Sequence, residues 1–113
     1  MIPLFFLLLG MEAHAPSPKP ALACEKGGFV RQFGKSNWLV YGCSDGRSLV
    51  VISDKLNPAA PFVFIISQEN GSYHIYGEGN GEKSASDAAL KELQGIDLKA
   101  LANEANAAAI NQH

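Results

Sequence analysis

Two dipeptides constrain this chain more than any other feature. Asp45-Gly46 stands between Trp38-Leu39-Val40-Tyr41 and Leu49-Val50-Val51-Ile52. Asn70-Gly71 stands between Phe62-Val63-Phe64-Ile65-Ile66 and Tyr73-His74-Ile75-Tyr76. A type I′ turn needs consecutive residues at positive φ. Asp-Gly and Asn-Gly supply them, and the twist of such a turn matches the strands it joins. The β-branched and aromatic residues on either side favour extended backbone. With two-residue turns the pairing follows by counting outward. In the first hairpin Val40 opposes Val51, Leu39 opposes Ile52 and Cys43 opposes Ser48. In the second, Ile66 opposes Ile75 and Ile65 opposes Tyr76.

Asn57-Pro58-Ala59-Ala60-Pro61 separates the hairpins and can continue neither strand. So short a connection predicts neighbouring hairpins in one antiparallel meander. Phe29-Val30-Arg31-Gln32-Phe33 offers a fifth, edge strand running into the turn residues Gly34-Lys35-Ser36. Gly77, Gly79 and Gly81 end the sheet, and the pattern then changes period. Ser84 is an expected N-cap, with Asp87 three residues on as an approximate capping box. A helix over residues 85–94 places Ala89, Leu90 and Leu93 on one face, and Gly95 is the expected C′ residue. Asp97 caps a second helix carrying Leu98, Leu101, Ala102 and Ala105. Strands followed by helices predict an α+β domain: a meander of four strands, or five with residues 29–33, and two short C-terminal helices packed on one sheet face.

Alternation in the strands assigns the faces. Phe64, Ile66, Tyr73 and Ile75 are expected under the helices, with Val63, Ile65, His74, Tyr76 and Glu78 on the reverse. The first hairpin is apolar on both sides: Trp38, Val40, Leu49 and Val51 on one, Leu39, Tyr41, Val50 and Ile52 on the other. Two short helices cannot cover both. Either the sheet curls, or the N-terminal segment covers the back, or a partner does.

The chain is 113 residues long, room for one domain. Residues 2–9 form an apolar run of signal-peptide length, well short of the roughly 18 residues of a membrane span. Ala13-His14-Ala15 supplies small residues for cleavage. Residues 1–15 are therefore expected to be a signal peptide and the protein to be periplasmic or secreted. Pro16, Pro18 and Pro20 then make residues 16–23 an extended linker, and residues 24–113 the domain. A second small-x-small set, Ala21-Leu22-Ala23, precedes Cys24 and leaves cleavage after Ala23 open. Its Leu22 is one place off a lipobox, so a lipid anchor at Cys24 is not expected.

Cys24 and Cys43 are the only cysteines. In an oxidising compartment one such pair forms a disulfide, which fastens the domain's first residues to the sheet. No Cys-x-x-Cys points to redox chemistry, and two cysteines cannot make a four-thiolate zinc site.

Little else suggests chemistry. Net charge is −2. Arg31 is the only basic residue in the predicted strands, so a nucleic-acid surface with interleaved aromatics is excluded. Gly77-Glu78-Gly79-Asn80-Gly81 lacks the Lys-Ser/Thr ending of a phosphate loop and follows an antiparallel strand. One polar cluster stands out. His74, Tyr76 and Glu78 share a strand face by period two, and Ser67 lies across from His74. Ser67 and His74 have the residue types of a nucleophile and base, but no acid is placed to orient the imidazole and no oxyanion elbow is present. One His and one carboxylate are an incomplete metal set. No cofactor and no catalytic residue are expected. The leading expectation is a non-catalytic binding or inhibitor-like domain of the cell envelope. The alternatives are a small enzyme or ligand carrier with a pocket near His74, Tyr76 and Glu78, and a homodimer through the sheet face.

Overall fold

The computed structural model describes residues 22–110. The expected signal peptide, most of the linker, His14 and His113 lie outside the described residues. The chain runs β1 (Lys26–Phe33), β2 (Ser36–Gly42), β3 (Leu49–Ser53), β4 (Phe62–Glu69) and β5 (Ser72–Gly79), then α1 (Lys83–Gly95) and α2 (Leu98–Ile110). The strands form one sheet in sequence order, each antiparallel to its neighbours. This is the predicted α+β meander, with the fifth strand present.

Both predicted registers hold. Leu39 pairs with Ile52 and Val40 with Val51. Ile66 pairs with Ile75 and Ile65 with Tyr76. Asn70 and Gly71 have φ of 53° and 82°, as a type I′ turn requires. Gly34 and Lys35 make the same kind of turn between β1 and β2, at 62° and 67°. The turn at Asp45-Gly46 departs from expectation, because Gly46 alone has positive φ. Its amide donates to Cys43 O at 3.0 Å, and Cys43 N–H donates to Ser48 O at 3.0 Å. The connection is therefore a wider loop of unchanged register. The cause is the Asp45 carboxylate. Its Oδ1 accepts from the N–H groups of Arg47 and Ser48, and its Oδ2 from the Ser48 hydroxyl. Such Asx bonding substitutes for backbone turn geometry.

The core lies between the sheet and the helices. Phe33, Trp38, Val40, Leu49, Val51, Phe64 and Ile66 project from the sheet, and Ala89, Leu93, Leu98, Leu101, Ala102 and Ala105 meet them from α1 and α2. Trp38 is fully buried, and its indole N–H donates to Phe33 O and Ser36 Oγ, so its polar atom is satisfied. Phe62 and Phe64 pack around the Trp38 ring.

The start of α1 departs from the expected cap. It begins at Lys83 with Glu82 as N-cap, and no side chain bonds the first turn's amides from that position. Ser84 lies inside the helix, and Asp87 pairs with Lys83 instead. Tertiary bonds set the entry: Glu82 N–H donates to Pro58 O, and Asn80 N–H to Pro61 O. Gly95 also departs from expectation. The helix runs through it to an extended C-cap at Ile96, and Gly95 has no positive φ. The second helix starts as read: Asp97 accepts from Ala100 N–H through Oδ1 and from Leu101 N–H through its carbonyl.

Cys24 and Cys43 are joined in a disulfide across 19 positions of sequence. Backbone bonds beside it, including Ser44 N–H to Ala23 O at 2.7 Å, hold the domain's first residues along the end of β2.

Candidate functional site: the open face of the sheet

The helices take one face, and the strand registers define what the other presents. One row crosses all five strands: Val30, Leu39, Ile52, Val63 and Glu78. The next contains Tyr41, Val50, Ile65 and Tyr76. Val30 is 56% exposed, Ile65 47% and Tyr76 64%. Leu39, Tyr41, Val50 and Val63 are half-buried, screened by their neighbours in the rows. Among the described residues no helix or strand lies over this surface. Gln32 and Asn37 form its polar border at one end, Ser67 and His74 at the other, all by alternation from the apolar rows. Tyr41 lies across the β1 bulge, where a Cβ on Gly28 would come within 2.8 Å of its ring.

The four residues of the predicted polar cluster do share this face. Ser67 pairs with His74, Tyr76 with Ile65, and Glu78 with Val63. Among the described residues no side-chain hydrogen bond joins them to one another; Ser67 and His74 meet through the backbone ladder alone. His74 approaches Glu69 instead, with Nε2 to Oε1 at 4.0 Å and both side chains mostly in solvent. His74 borders an open cleft of about 640 Å³ between the β4–β5 turn and the α1–α2 connection. Tyr76 and Glu78 do not line that cleft, so the three residues do not enclose one pocket. Among the described residues no three His, Cys, Asp or Glu side chains gather closely enough to hold a metal ion.

The groups with displaced titration lie elsewhere, at the β2–β3 loop. Burial pushes the Asp45 carboxyl up. The hydrogen bonds from Ser48 and Arg47, with the Arg47 charge, outweigh that and hold it below its ordinary value. Burial raises the Tyr73 hydroxyl, with the Asp45 charge acting in the same direction, and that hydroxyl donates to Arg47 O at 3.2 Å. Asn106 of α2 reaches the same loop, with its Nδ2 donating to Gly46 O. These contacts tie β5 and α2 to the loop next to the disulfide. Sequence reading places Asp45 in a turn but does not reach its side-chain bonds to Arg47 and Ser48. The spacing of Asp45 to Arg47 and Ser48 is an Asx-turn signal that carried them.

No family model matches this chain, and neither does any curated protein or solved structure. No described helix is long and apolar enough to cross a membrane.

Proposed function

We propose that this protein is a non-catalytic binding domain of the cell envelope or periplasm, and that its open sheet face receives an apolar surface of another protein. The observation that supports this is the pair of apolar rows left uncovered on a sheet whose opposite face is packed. Monomeric proteins rarely leave contiguous apolar surface of this kind without use, and a polar border is typical of recognition sites. The disulfide is compatible with an oxidising compartment.

The test is site-specific photo-crosslinking in the native host. A photoreactive residue replaces Ile65, in the middle of the face, or Leu56, which is 93% exposed on the β3–β4 loop. The expected result is one discrete heterologous adduct from position 65 and none from 56. The purified partner should then bind the wild type and fail to bind Ile65→Lys. The reading is overturned by adducts from both positions alike, by none, or by an adduct whose second member is this same chain.

A further inference from the structure

We infer that β5 is a self-complementary edge through which two copies join into one ten-stranded antiparallel sheet. This inference stands apart from the binding reading above. β5 ends the sheet, and among the described residues no strand pairs with its outer side. In the two-residue turn, Glu69 and Ser72 form the bonded pair, so alternate residues of β5 point their backbone groups toward β4. Asn80 N–H donating to Pro61 O confirms that parity. Tyr73, Ile75, Gly77 and Gly79 therefore direct N–H and C=O outward, an unpaired edge of the kind that templates strand addition.

The side chains select the occupant. When two β5 strands pair about a two-fold axis at Tyr76, outward residues meet outward residues and the strand is used over its full length. Ile75 then faces Gly77 of the second copy, and Tyr73 faces Gly79. On the reverse face His74 lies opposite Glu78, twice by symmetry, with Cβ atoms about 4.5–5.5 Å apart. Large residues meet glycines, and base meets acid. Centring the axis on Ile75 instead sets two isoleucines together and leaves His74 opposite a tyrosine. The two glycines have no side chain to lose: a Cβ at Gly77 would come within 2.9 Å of the Phe62 ring. Beside them lies a cleft of about 360 Å³, bordered by Phe62, Ile75 and Leu90, that the Ile75 side chain of the second copy would face. β5 carries no lysine or proline, the usual protection of an edge strand. The symmetric arrangement would place all four helices on one side and make the open faces continuous.

Sedimentation equilibrium and cysteine mapping test this on the full chain with its native disulfide intact. At about 100 µM the wild type should be dimeric, which needs a dissociation constant in the micromolar range or below. Tyr76→Lys sets two ammonium groups together on the axis and should weaken the dimer at least about tenfold, with an unchanged circular dichroism spectrum. Under mild oxidation Tyr76→Cys should cross-link to itself. His74→Cys and Glu78→Cys should not cross-link singly, because like positions lie about 14 Å apart, yet they should cross-link when mixed. A monomeric wild type, or self-linking of His74→Cys as fast as of Tyr76→Cys, overturns the inference without bearing on the open-face partner.

Discussion

Gly34 is the first and Gly71 the second residue of two similar hairpin turns, and substituting each by alanine separates backbone strain from packing. Both have positive φ, 62° and 82°. An L-residue held there costs roughly 1–2 kcal/mol. At Gly71 that is the whole cost, because nothing lies within 4 Å of a new Cβ. At Gly34 the Cβ would stand 2.6 Å from Ala89 N and 2.7 Å from Ala88 C. These are backbone atoms of α1, which no rotamer change can move aside. Overpacking of this kind adds about 1–3 kcal/mol. If the hairpin lifts away instead, it strains the bond from Gly34 N–H to Glu92 Oε1 at 2.8 Å, worth about 1 kcal/mol. Gly34→Ala should thus cost about 2–5 kcal/mol and Gly71→Ala about 1–2. Urea unfolding followed by fluorescence reads both, since Trp38 is the only tryptophan and is fully buried. With a slope of about 1 kcal/mol/M for so small a domain, the midpoints should fall by about 2–5 M and about 1–2 M. Equal losses in the two variants would refute the packing of the β1–β2 turn against α1.

Three further outcomes are expected. Removing the disulfide with Cys24→Ser and Cys43→Ser should cost about 3 kcal/mol for a closed loop of 19-residue separation, read as a fall of roughly 12–24 °C in the thermal midpoint. Asp45, held below its ordinary value near 3.8, contributes stability that is present above that value and lost as pH falls through the folded one. Asp45→Asn should therefore flatten the stability curve below about pH 4, in denaturant titrations at stepped pH. Asn57 is buried, accepting from Ala59 N–H and donating to Asn37 O. Asn57→Ala leaves Ala59 N–H without a partner, while Asn37 O keeps the Asp54 N–H, and should cost about 1–3 kcal/mol by urea midpoint, whereas a cost below about 1 would show that water replaces the amide.

Local chemistry made most of the architecture legible. Asn70-Gly71 specifies its own turn, and one dipeptide of known register orders every pair in the hairpin after it. The first hairpin shows where that logic stops. Its register survived while its turn type did not, because Asp45 side-chain bonds compete with the backbone geometry the dipeptide favours. The helix starts divide in the same way. Asp97 acts locally and was readable. Ser84 was a reasonable cap, but α1 is fixed by bonds from Glu82 and Asn80 to the β3–β4 loop far back in the sequence, at Pro58 and Pro61, whose positions no local pattern encodes. The start of β1 was hidden for a related reason. Gly27 and Gly28 precede the strand expected over residues 29–33, yet their positive φ values form the bulge that lets the strand continue back to Lys26. For the candidate site, alternation placed Ser67, His74, Tyr76 and Glu78 on one face. Whether such residues touch depends on rotamers and sheet twist, which alternation does not reach.

The open face has a geometric origin. Helices of 13 residues are about 20 Å long, and two side by side at 8–10 Å cover about 20 Å of width. Five strands at about 4.8 Å spacing need nearly all of that. Both helices are spent on one face, with α2 packed on β1 and β2 and α1 on β1. They lean away from β5, which is why Tyr73 and Ile75 stay half-buried on the packed side. No described element remains for the reverse, yet β2, β3 and β4 are apolar there. Self-burial by these elements cannot be what those residues serve. The polarity of the face has a direction too. Leu39, Val50, Ile52, Val63 and Ile65 hold its middle, while Glu78, His74 and Ser67 occupy the β5 side. A partner that buries apolar surface on this face would therefore centre on Val50 and Ile65, with Ser67 and His74 at its polar border.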